Sequence, residues 1–217
     1  VDVPTILDVI EAHGFDSTDD VITDDRKVEA LNEAYWDICS RDPWPFLERS
    51  IDLTFDGTTG IPTNWPSDVK APTKVMRDSD GARMEPFRLD DFLDRYGDNL
   101  TLQASPILYY REAGQLAVYP IPSASETVTM KYVRVPAALT ATSLETDIVL
   151  PARFHRGALV NGALYRLYLM QDDTELSAGF ERLYEKAISL MRDDLWREQY
   201  ERPQFIHVND PDNWDTL

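Results

Sequence analysis

Apolar residues recur every three or four positions at both ends of the chain and every second position through its middle. A first helix is predicted from Pro4 to His13, with proline in the first turn and Gly14 as the stop. Phe15 to Asp25 is acidic and loop-like. A second helix is predicted from Asp24 to Arg41. Thr23 serves as its N-cap, and Asp24 and Asp25 face the positive end of the helix dipole. Val28, Leu31, Tyr35, Ile38 and Cys39 form its buried stripe, and Asp42-Pro43 ends it. Trp44-Pro45-Phe46-Leu47 makes a stiff corner around a bulky ring, which either caps the core or anchors a partner.

From Ile51 the period changes to two. Ile51, Leu53 and Phe55 alternate with Asp52 and Thr54, followed by turn signals at Asp56-Gly57 and Thr59-Gly60. Val69 to Arg77 reads as a strand, Asp78-Ser79-Asp80-Gly81 as a tight turn, and Met84 to Arg88 as the return strand. Asp90 to Tyr96 is a short helix ended by Gly97. Ile107 to Arg111 and Gln115 to Tyr119 form a hairpin across Glu112-Ala113-Gly114, and Thr127 to Val135 is a last strand.

Helical spacing then returns. One helix is expected from Pro151 to about Gln171. Its Gly157-Ala158 and Gly162-Ala163 pairs cost helix propensity, about 1 kcal/mol per glycine, which close helix–helix approach explains. The approaching partner is either the last helix or another subunit. Asp172, with Glu175 three residues on, caps a final helix from Glu175 to Tyr200. Leu176, Phe180, Leu183, Ala187 and Leu190 form its packing seam. The remainder has no periodicity, yet keeps Phe205, Ile206, Val208 and Trp214, so it either docks onto a surface or frays. The chain reads as α+β: N-terminal helices over 1–50, a small antiparallel β-insert over 51–136, a C-terminal helical pair over 137–200 and an extended tail over 201–217.

Composition sharpens this. In 217 residues, 39 acidic side chains outnumber 21 basic ones, for a formal net charge of −18. A 43% hydrophobic share supports a real core. A protein that grips nucleic acid or an anionic membrane needs a basic face, and no basic cluster longer than two residues exists here. No apolar run is long enough to span a bilayer. Val1-Asp2-Val3-Pro4 lacks the features of a secretory signal, so a soluble protein is expected.

Candidate chemistry is sparse. Cys39 is the lone cysteine and, in its apolar helical setting, is expected to be a buried, inert thiol. His13, His155 and His207 have no second His or Cys at ligand spacing, so no metal site is expected. His155, between Arg153 and Arg156, reads as a polar-face residue. Asp78-Ser79-Asp80-Gly81 opens like a calcium loop but has Arg83 where glycine is required and Leu89 where a bidentate glutamate is required. No phosphate loop, dinucleotide fingerprint or nucleophile elbow occurs, so no catalytic residue, cofactor or enzyme class is assigned. A carbohydrate-binding module or hydrolase is the alternative from another class. An exposed aromatic row drawn from Tyr109, Tyr110, Tyr119 and Tyr132 would favour it.

Four segments in this order carry a resemblance: Arg41-Asp42-Pro43-Trp44-Pro45-Phe46-Leu47, Gly114-Gln115-Leu116-Ala117-Val118-Tyr119-Pro120-Ile121-Pro122, Val128-Thr129-Met130-Lys131-Tyr132-Val133-Arg134-Val135-Pro136 and Leu150-Pro151-Ala152-Arg153-Phe154-His155-Arg156-Gly157-Ala158-Leu159. Over about Asp24 to Tyr200 the chain resembles the head-to-tail adaptor (connector) proteins of tailed viruses. The resemblance implies a helical bundle and a ring of about twelve copies below the portal. It also implies a central channel that passes double-stranded DNA without specific binding. Implied partners are the portal protein, a stopper or tail-completion protein, and further copies of the chain. The implied location is the virion, after synthesis in the host cytoplasm. The C-terminal stretch would reach the portal, through Trp196, Tyr200, Phe205, Ile206 and Trp214. The alternative within the same class is another virion joint, a stopper or tail-completion protein.

Overall fold

The computed structural model describes residues 1–15 and 22–201, apart from the side chains of 98 and 198–201. The chain divides into two compact units, residues 1–38 with 150–217, and residues 39–149. Together they make a mixed α+β architecture, with five α-helices and two small sheets among the described residues.

The first unit is helical. Helix α1 spans Val3–Glu11, with Pro4 in its first turn, and the Asp2 carboxylate caps it by accepting the Thr5 N–H. Val3, Ile6 and Ile10 form its buried edge, and Gly14 closes it at φ +99°. Helix α2 spans Asp24–Arg41, with the Thr23 hydroxyl accepting the Arg26 N–H at 3.4 Å. Leu31, Tyr35, Ile38 and Cys39 are buried as the spacing predicts, while Val28 is only half-buried. Lys27 is buried among them, its ammonium 2.9 Å from both Glu11 and Asp24.

The helix predicted from Pro151 begins irregularly. A 3₁₀ turn at Ala152–Phe154 leads into a π-helical stretch at His155–Val160 before α4, Asn161–Met170. Ala158, Leu159 and Val160 are all buried within it, beside His155. Helix α5 spans Thr174–Glu201. Its cap is Asp173, whose carboxylate accepts the Leu176 N–H at 3.0 Å. Asp172, the expected cap, instead takes a left-handed conformation at φ +59°.

The packing seam of α5 is also displaced. Ser177, Tyr184, Ile188, Met191 and Leu195 are buried, whereas Leu176, Leu183 and Leu190 are exposed. Two polar groups are accepted into the seam because each finds a partner. The Tyr184 hydroxyl donates to Asp37 at 2.6 Å, and the Ser177 hydroxyl donates to the Tyr165 carbonyl at 3.2 Å. Arg166 adds ion pairs to Glu33 at 3.4 Å and to Asp37 at 3.5 Å, so α2, α4 and α5 share one polar cluster.

The small residues mark close approach inside this unit. A Cβ added at Gly162 would lie 2.9 Å from the Tyr184 ring and 3.0 Å from the Ala34 methyl, whereas one at Gly157 would meet the Ala187 methyl at an ordinary 3.5 Å. Tyr184 is pinned by its hydroxyl and cannot swing aside. Gly162→Ala should therefore lose about 1–3 kcal/mol despite the better helix former. Gly157→Ala should be neutral or stabilising by up to about 1 kcal/mol. Urea titration of both variants checks this; equal midpoints would contradict it.

The second unit holds the sheets. Strands β1 (Glu48–Phe55), β6 (Glu126–Arg134) and β2 (Val69–Arg77) form one antiparallel sheet in the order β1-β6-β2. Leu53 pairs with Val128 and Ile51 with Met130, so the alternating face is continuous across strands. Pro72 is tolerated because β2 is an edge strand with register shifts on either side of it. The return strand departs from expectation. After a single bridge between Met76 and Arg83, the chain leaves this sheet, and β3 (Glu85–Pro86) pairs in parallel with β4 (Leu108–Glu112). The insert is therefore not wholly antiparallel. Strand β5 (Gln115–Tyr119) completes the second sheet through a two-residue turn at Ala113-Gly114, both with positive φ. Helix α3, Leu89–Tyr96, buries Phe92 against Tyr119 and Tyr110.

Candidate functional site

The groups with chemical potential are held in structural roles. The Cys39 thiol is buried, and desolvation pushes its pKa up to about 12 against weak opposing fields from Arg134 and Lys70, so it is inert at neutral pH. His13 caps its own helix, its Nδ1 2.8 Å from the Val9 carbonyl and its ring edge-on to Phe180. His155 is not on a polar face. It is 1% exposed, with Nδ1 3.0 Å from the Val1 carbonyl and Nε2 2.8 Å from the Leu150 carbonyl. Two carbonyls fix the ring and leave no nitrogen for a substrate. His207 lies outside the described residues. Among the described residues, no group of three or more His, Cys, Asp or Glu is placed to hold a metal ion.

The calcium-like turn is closed by its own neighbours. Asp80 accepts the Ala82 N–H and pairs with Arg77, which together hold its carboxyl below the usual range. Asp78 accepts from the Thr129 hydroxyl. Asp56 is likewise lowered by the Thr58 N–H and hydroxyl in an Asx turn.

The aromatic row proposed for carbohydrate binding is not at the surface. Tyr109, Tyr119 and Tyr132 are buried, and Tyr110 stacks on Phe92 at 4.1 Å. Tyr109 and Tyr132 belong to the main core of the second unit, with Leu53, Phe55, Val118 and Met130. The Tyr132 hydroxyl donates to Asp68. Trp44 is buried and stacked on Phe46, the core reading of that corner.

The chain instead exposes apolar helix faces. Trp36 on α2 is 46% exposed, and Leu176, Leu183 and Leu190 stand out along α5. Periodicity alone assigned those leucines to the core; the buried row Ser177, Tyr184 and Met191 repeats at the same step of seven, so spacing does not tell the two rows apart. Trp196, the first of the expected portal-contact residues, is at the surface near the end of α5. Tyr200 is in the last turn of that helix, with its side chain outside the description. Phe205, Ile206 and Trp214 lie outside the described residues. No helix among the described residues is long and apolar enough to cross a membrane.

Buried titratable groups held by structural partners, with apolar helix faces left exposed, suit a class of protein that acts by association. The family comparison gives the class its name: residues 4–206 match the SU10 adaptor protein model, and the chain belongs to that family of phage adaptors. No curated protein matches the chain. The family is a structural virion component rather than a class of enzyme, and it implies association with other virion proteins.

Proposed function

We propose that this chain is a head-to-tail adaptor, about twelve copies of which form a ring joining the portal to the stopper or tail. The observation that carries the reading is the adaptor family match over residues 4–206. In this reading the helices form a docking bundle, the β-insert faces neighbouring copies or the next tail component, and the channel passes double-stranded DNA. Charge supports the channel. At −18 per chain, a ring would carry on the order of −200 formal charges, which repel phosphate and let a duplex slide. A stopper or tail-completion protein is the lesser reading, because the 28-residue α5 is long for such mostly-β joints.

The stretch from Trp196 onward is proposed as the portal contact, with Trp196, Tyr200, Phe205, Ile206 and Trp214 as its anchors. Large aromatics separated by polar residues suit pockets on a partner. The test is co-sedimentation with the portal protein. The full chain should be monomeric or weakly associated alone and close into a ring only on the portal. A chain ending at Tyr200 should bind the portal at least about tenfold more weakly. Unchanged binding removes the tail from the contact, and a full chain that never co-sediments removes the adaptor reading.

A further inference from the structure

Two faces of the helical unit are open, and they differ in kind. On α5, Leu176, Leu183 and Leu190 are 46%, 50% and 57% exposed. A step of seven is two turns of helix within about 20°, so the three side chains form one ladder. The ladder lies on the shoulder of the helix away from Ile188 and Leu195. Arg182 and Lys186 flank its centre and make no ion pair among the described residues; Glu175 and Asp193 stand toward its ends. On α2, Asp25, Glu29 and Trp36 fall on one face at steps of four and seven, with Glu33 beside them. The pair between Arg26 and Glu29 is more than half exposed and neutralises this face little.

We propose that the leucine ladder of α5 packs against the Trp36 face of α2 on a second copy of this chain. The proposal rests on the ring reading above and says which surfaces build the ring. Charge selects the arrangement. Ladder on ladder sets Arg182 and Lys186 against their own equivalents, and Trp36 face on Trp36 face does the same for Asp25 and Glu29. Ladder on Trp36 face brings opposite signs together around an apolar centre. The indole and the three leucines supply that centre, and the charges form its rim. A contact between two different patches is heterologous. Each copy keeps one face free for the next, so the contact propagates and closes when the rotation allows.

The test uses the full chain assembled on its portal. Glu29→Cys and Lys186→Cys keep Trp36 and the leucines intact, and native Cys39 is only 5% exposed. With a short bismaleimide, the chain carrying both cysteines should give a ladder of multimers on a denaturing gel. Either cysteine alone should give none. Leu183→Asp, at an exposed position, should weaken assembly at least about tenfold with an unchanged circular dichroism spectrum. Dimers from Lys186→Cys alone overturn the proposal, since they show α5 against α5. If the wild-type chain forms a ring but the double-cysteine chain yields no multimer ladder, or Leu183→Asp assembles fully, the proposal is overturned while the ring stays in place. A wild-type chain that forms no ring on the portal removes both readings together.

Discussion

Replacing both acidic partners of Lys27, as Glu11→Gln with Asp24→Asn, is expected to destabilise the protein by about 3 kcal/mol or more. The ammonium is fully buried, while Glu11 and Asp24 are partly in solvent, so the acids come to the lysine rather than the reverse. Burial alone lowers the lysine pKa; the hydrogen bonds and fields of Glu11 and Asp24 outweigh it and leave the pKa raised. A raised folded pKa gives stability that is fully present below the unfolded value, near 10.4, and is lost as pH climbs through the folded value. Wild-type stability from this group is therefore flat between neutral pH and about pH 10. In the double variant only burial remains, and the folded state binds its proton less tightly than the unfolded chain does. Stability should then rise with pH across the same interval, a reversal of sign that general loss of packing does not produce. Urea unfolding at pH 7 and pH 9.5 reads both quantities. A small loss with no pH slope would show that Lys27 escapes to solvent when unpaired.

Lys27 also marks where the sequence stops being informative. A lysine among Asp24, Asp25 and Glu29 reads as a solvated surface residue, and only the position of α1 reveals that Glu11 supplies its second partner. Elements bounded by local chemistry are legible: α2 lies between the Thr23 cap and Pro43, and β2 ends where Asp78 to Gly81 turns. Features decided by tertiary partners are not. Tyr184 and Ser177 entered the α5 seam because Asp37 and the Tyr165 carbonyl await them, and this turned Leu176, Leu183 and Leu190 outward. Strand β3 left its hairpin for a parallel partner that the two residues Glu85 and Pro86 cannot announce. The exposed leucines were thus visible as a pattern but assigned to the wrong side of the helix. Of the proposed portal contacts, only the surface position of Trp196 has a structural counterpart.

Gly60→Ala should cost about 3 kcal/mol or more, although the change adds one methyl group at a position that is not deeply buried. A Cβ there would lie 2.5 Å from the Val118 carbonyl oxygen, a backbone atom that cannot rotate away. The same two residues are joined by the Val118 N–H donating to the Gly60 carbonyl at 2.7 Å. Strand β5 is the edge of its sheet, so this bond is how the turn after β1 covers an otherwise open strand. To admit the methyl, the turn must lift, the bond must break, and Val118 loses its cover in the main core of the unit. Gly97→Ala is the matched control: its added Cβ would meet nothing within 4 Å and its φ is −55°, so it should be neutral or stabilising by up to about 1 kcal/mol. Amide exchange adds a local readout. In Gly60→Ala the Val118 amide should lose protection ahead of the β1-β6-β2 sheet, because only the second sheet has lost its edge cover. Equal unfolding midpoints for the two alanine variants, with Val118 still protected, would show that the turn can shift without releasing β5.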